Sequence, residues 1–141
     1  MVPKNRLLFG TVLGAVAVGG SVILALPGRV CAAPAETQAT VSFSEDILPL
    51  LKWKCSSCHQ PGGQGYEASG LDLSSWAGLR NGTKFGAVVV PNEPGVSNLM
   101  VLLDWPQYLS PAIRMPHGQK KLSVCDRDVI RTWIREGAQD N

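Results

Sequence analysis

Apolar residues recur at helical spacing at two places in the chain. The first is Phe43, Ile47, Leu50 and Leu51, which share one face of a 3.6-residue period. Ser42 and Glu45 precede it as an S-x-x-E capping box, so a helix is predicted to start there. Pro49 lies inside the run and should loosen or kink it. The second is Val129, Ile130, Trp133 and Ile134, opened by a capping box at Ser123 and Asp126 and closed by Gly137.

Between these runs the pattern is weaker. Residues 59–70, HQPGGQGYEASG, read as loop. Ser74 or Ser75 can cap a short helix through Trp76, Leu79 and Arg80, ended by Asn81-Gly82. Ala87 to Val90 is a short apolar run closed by Pro91, and Ser97 can cap a helix from Asn98 to Leu103. Residues 104–121 hold Pro106, Pro111, Pro116 and Gly118 and read as an extended loop. The fold class is therefore all-α, with a good helix at each end of the domain and minor ones between. The chain has no internal repeat.

The N-terminus sets the compartment. Lys4 and Arg6 precede a charge-free stretch from Leu7 to Leu26, followed by Pro27-Gly28 and the small residues Ala33-Pro34-Ala35. That is the layout of a secretory signal. The stretch is also about as long as a membrane-spanning helix, so a retained anchor through residues 7–26 is the rival reading. Both export the remainder of the chain, to the periplasm or the outer face of the cytoplasmic membrane. The expected organisation is a signal or anchor over 1–35, a polar linker over 36–40 and one folded domain over 41–141. Residues 1–35 hold three cations and no acid. Without them Lys+Arg fall from 13 to 10 against 11 acids, and this near-neutral domain gives no reason to propose nucleic acid.

The chemistry lies in Cys55-Ser56-Ser57-Cys58-His59, a C-x-x-C-H motif. Two thiols at this spacing can each add to one vinyl group of a haem, and the following His59 can bind the iron. The cofactor expected is one covalently bound haem c. A zinc site needs four ligands, and only His117 and Cys125 remain, with no second knuckle. A redox dithiol would sit in a βαβ pattern, which is absent.

The second axial ligand comes from a short list. Met115 lies in the Pro-rich loop as Arg114-Met115-Pro116-His117, whereas Met100 sits in the apolar run of a helix, where a core methionine is expected. A thioether would favour reduced iron and raise the potential. His117 is two residues away and competes for the same space, and an open position is the third alternative.

These landmarks come in a recognisable order. Gly70-Leu71-Asp72-Leu73 follows the haem motif, then Val90-Pro91-x-x-Pro94-x-x-Ser97-x-Leu99, Arg114-Met115-Pro116, Leu122-Ser123 and Trp133-Ile134-x-x-Gly137-Ala138. The chain after the linker resembles the planctomycete-type cytochrome c domain. The resemblance implies a class I cytochrome c-like fold, three main helices around one covalent haem, with His59 and Met115 as axial ligands. It departs from the family at Pro116-His117, where Pro-Pro is usual, and at Val90-Pro91-Asn92, where Val-Pro-Gly is usual.

The expected function is one-electron transfer in an exported, respiratory chain, or as the cytochrome subunit of a membrane complex. The protein would be a carrier rather than an enzyme. Its partners would be redox proteins acting as donor and acceptor. The alternative is a haem c enzyme or gas binder with a displaceable sixth ligand. Trp53, Trp76, Trp105 and Trp133 are expected in the core or against the haem, and Cys125 as a small buried hydrophobe. Lys52, Lys54, Arg114, Lys120 and Lys121 flank the haem or ligand segments, as surface charge or as a ring that steers an acidic partner.

Overall fold

The computed structural model describes residues 40–141. The signal or anchor expected over 1–35 lies outside them, as does the linker apart from Thr40. No helix among the described residues is long and apolar enough to cross a membrane.

The described residues are helical. They form α1 (Leu48–Lys54), α2 (Gln64–Ser69), α3 (Trp76–Asn81), α4 (Asn98–Asp104) and α5 (Val124–Arg135), with no named strand. A π-helical turn, Phe43–Ile47, leads into α1, and a single 3₁₀ turn, Pro111–Ile113, interrupts the long loop before α5.

The first helix starts where its capping box predicts, with one change. Ser42 Oγ accepts from the Glu45 N–H at 3.2 Å, but the return bond goes from the Ser42 N–H to Asp46 Oδ2 at 2.9 Å. The opening turn is wound wide, with the Ile47 N–H reaching back to the Ser42 carbonyl at 3.2 Å. That widening carries Asp46 into the place Glu45 would hold in an α-helical turn. Pro49 sits at the start of α1, where a missing N–H is harmless. The irregularity expected from it is the π-helical turn just before.

The two terminal helices form the frame. Phe43, Ile47 and Leu51 on one side and Ile130, Trp133 and Ile134 on the other are all buried. The Phe43 and Trp133 rings meet with centroids 5.5 Å apart, and the Trp133 indole N–H donates to the Gln139 carbonyl at 2.9 Å. The Ser44 N–H and the hydroxyls of Ser42 and Ser44 donate to the Asn141 carbonyl oxygen, drawing residues 139–141 over the first helix. At the other end of α5, Ser123 Oγ caps the Asp126 N–H at 3.0 Å.

Several expectations are corrected. Residues 64–69 are helical, not loop. Three glycines hide the signal, and the turn is fixed by a contact from outside it, the Tyr66 N–H donating to the Cys58 carbonyl at 2.9 Å. Ser97 precedes α4, but its buried hydroxyl turns backwards, accepting from the Val90 N–H and donating to the Glu93 carbonyl, both at 2.9 Å. It ties the Val90–Ser97 loop instead of capping the helix. Trp53 is 79% exposed, because it lies about 200° around the helix from Leu51. Cys125 is half-buried and its sulfur is not free, so it is not the plain core residue expected.

Candidate functional site

The C-x-x-C-H segment continues from the end of α1 as one tight turn. The Cys55 and Ser56 N–H groups both donate to the Leu51 carbonyl, at 2.8 and 3.0 Å. Those of Cys58 and His59 then donate to the Cys55 carbonyl, at 3.1 and 3.0 Å. The next strap comes from the Leu-Asp-Leu segment, whose Leu73 N–H donates to the His59 carbonyl at 2.7 Å. Ser56 is buried, and its hydroxyl lies 3.3 Å from both the Leu51 and Leu73 carbonyls. Every residue of the motif except Ser57 is thus tied by a backbone or side-chain bond.

Two glycines make room for this turn. A Cβ at Gly63 would collide with the Cys58 carbonyl. One at Gly65 would lie 2.7–2.9 Å from three atoms of the His59 ring. The imidazole therefore rests directly on the backbone of α2. Sequence reasoning passed over Gly63, Gly65 and Ser56. The only signal was the density of glycine just after the motif.

Cys55, Cys58 and His59 line a cleft that opens to solvent, with about 800 Å³ of empty space, the solvent at its mouth included. Leu71, Leu73 and Val88 line it as well, with Leu99, Leu102 and Leu103 of α4. Its lining is mostly apolar. Met115, Pro116 and His117 line the same cleft. Met115 is half-buried and packed against the core, whereas His117 is exposed. The Met115 N–H donates to the Leu102 carbonyl at 3.0 Å, and its own carbonyl accepts from Trp105 Nε1 at 2.7 Å. The peptide bond from Met115 to Pro116 is cis.

The electrostatics follow from burial. Burial pushes the Cys55 thiol up to about 11, with Cys58 adding to the rise and Lys54 opposing it. Burial lowers the His59 pKa, so the imidazole is held neutral, the form that binds a metal. The Leu71 backbone lies close enough to oppose that shift, yet the buried Nδ1 makes no hydrogen bond of full geometry. Of the five flanking cations only Lys54 lines the cleft, with its ammonium 3.8 Å from the exposed Trp53 ring centroid.

The donor set fits a covalent haem. Two free thiols, a neutral imidazole and a thioether line one apolar cleft. The backbone under the imidazole is a cradle that any larger residue would fill. A zinc site fits less well, since no group of three or more His, Cys, Asp or Glu could hold a metal among the described residues.

No curated protein and no solved structure matches the chain. A family model does match: it begins at the first cysteine of the motif and ends in the loop after α4, so Met115 and α5 lie beyond it. Residues 55–109 match the model of the family described as Planctomycete cytochrome C, the family that the order of landmarks resembles.

Proposed function

We propose that the protein is a monohaem c-type cytochrome of class I type that passes one electron at a time between redox proteins outside the cytoplasm. The observation that carries this is the gathering of Cys55, Cys58, His59 and Met115 on one apolar cleft. Cys55 and Cys58 would hold the cofactor by thioethers, each thiol adding across a vinyl group. His59 would be the proximal ligand, oriented by Gly65 beneath it and by the strap to Leu73. Met115 would be the distal ligand. Its backbone is held at both ends, while His117 is exposed. Haem c in this cleft supplies an iron that gains or loses one electron.

With His59 and Met115 both holding the iron, no place would be left there for a substrate, which supports a carrier over an enzyme. The apolar lining would limit water around the cofactor, and ligands fixed by the backbone would limit rearrangement between oxidation states. The charge-free stretch 7–26 supports export to the periplasm, either by a cleaved signal or as an anchor that holds the protein near a membrane complex.

The test is mass and spectrum. Denatured protein should weigh as the polypeptide plus one haem, and the oxidised protein should show the weak near-infrared band of sulfur-to-iron charge transfer. Met115→Ala should abolish that band, lower the potential and open the iron to CO, whereas His117→Ala should do none of these. Haem released by acidified organic solvent would refute the covalent assignment. CO binding by His117→Ala, with Met115→Ala silent, would make the haem bis-histidine. CO binding by the unaltered protein would point to the enzyme or gas-binding alternative.

A further inference from the structure

We propose that Trp105 is a positioning residue for Met115, fixing the thioether through its indole N–H. This rests on the reading of Met115 as the distal ligand.

The segment that carries Met115 cannot place a sulfur atom by itself. Residues 105–121 contain three prolines and one 3₁₀ turn, with no helix to set a side chain. The position is set instead by α4. Leu102 in that helix accepts from the Met115 N–H at 3.0 Å, and Trp105 at its end donates to the Met115 carbonyl at 2.7 Å. Both backbone groups of one residue are thus bound by one short element.

Trp105 is built for this. It caps α4 in the left-handed region, at φ 50° and ψ 56°, a conformation that bulky residues seldom adopt. The indole is gripped by cations: the Arg114 guanidinium lies 5.6 Å from a Trp105 ring centroid and the Lys121 ammonium 5.9 Å. Lys121 Nζ also donates to the Asp104 carbonyl, and the Asp104 carboxylate pairs with Arg127 and Arg131 of α5. Met115 is linked in this way to the frame of the molecule.

Trp105→Phe tests this, since it removes the N–H donor, with the five-membered ring that carries it, and keeps an aromatic ring beside Arg114 and Lys121. The loss of one bond to a partly buried carbonyl should loosen the loop about tenfold. The affinity of the ferric protein for added imidazole should rise by about that factor, the near-infrared band should weaken, and the haem should remain covalent. An affinity and a band equal to those of the unaltered protein would overturn the proposal alone. An unaltered protein without the band would overturn the Met115 assignment, and the proposal with it. Should the variant yield no holoprotein, hydrogen exchange decides in the unaltered one. The indole N–H nearest Met115 should exchange faster once cyanide displaces the sulfur, and unchanged exchange would overturn the proposal.

Discussion

Under the proposed ligation the cleft has a proximal and a distal wall, and the two are built in opposite ways. On the proximal wall, two thiols and an imidazole come from five consecutive residues, wound into one turn by bonds to Leu51 and Cys55. On the distal wall, a single thioether comes from a Pro-rich loop and is placed by contacts with Leu102 and Trp105, thirteen and ten residues back. The proximal geometry is local, so the spacing C-x-x-C-H nearly dictates it. The distal geometry is tertiary and depends on where α4 ends. Substitutions on the proximal wall should therefore affect assembly of the holoprotein, and those on the distal wall should affect ligand exchange and potential.

The largest expected effect strikes the frame common to both. Trp133 is buried against Phe43 and joins the last helix to the first. Trp133→Ala should cost about 3–5 kcal/mol, through lost burial and the cavity left behind. Thermal unfolding would show it. Any holoprotein that survives should keep its near-infrared band and its resistance to CO, because the substitution favours neither wall. An unchanged melting temperature would show that the seam does not hold the domain together.

A smaller effect should be confined to the proximal wall. In Gly65→Ala the new Cβ would lie under 3 Å from the His59 ring. Gly65 is inside α2, where alanine is intrinsically better than glycine by about 1 kcal/mol. Overpacking costs about 1–3 kcal/mol where the neighbour cannot move. In the apoprotein the imidazole can swing aside, and the helix gain should dominate. With the imidazole fixed to iron it cannot, so the variant should lose holoprotein yield without losing apoprotein stability. Equal yields of Gly65→Ala and unaltered holoprotein would place His59 away from the iron.

The same division between local and tertiary features decides how much the sequence conveys. The two helix starts, at Ser42 and Ser123, are legible because a capping serine and the N–H it binds lie three residues apart. The seam at Phe43, Ile47, Ile130 and Trp133 is legible because helical periodicity marks a face. Each of these signals is written within a few residues. The features that escape detection need a partner far along the chain. α2 depends on the Cys58 carbonyl, and the hydroxyl of Ser97 faces back to Val90 and Glu93. Trp105 reads as a generic core aromatic until its N–H is seen on Met115. Trp53 shows the converse error, since composition suggests burial whereas its place on the helix turns it to solvent.

The smallest effect lies behind the distal wall, in the ion cluster that anchors the end of α4. The Asp104 carboxylate lies 2.7 Å from the Arg131 guanidinium and is paired with Arg127 as well. Burial pushes its pKa up, but hydrogen bonds from Arg131 and Arg127 outweigh this and hold it below the ordinary carboxylate value. A depressed folded-state pKa means that folding favours the ionised form. The stabilisation is thus present above the unfolded value of about 4 and is lost as pH falls through the folded one. The carboxylate is about a third exposed, so water and salt screen it, and the contribution should not exceed about 1 kcal/mol. Asp104→Asn should lower the melting temperature by a few degrees, about 4–8 °C at most, at neutral pH and low salt. The gap between variant and unaltered protein should close below about pH 4 and narrow as salt is added. If Asp104 also anchors Trp105, the variant should bind imidazole slightly more tightly at neutral pH, and that difference should vanish over the same acid range. A gap that persists unchanged at low pH would mean that Asp104 acts by shape and not by charge, and that the distal wall is held by the Trp105 hydrogen bond without help from the ion cluster.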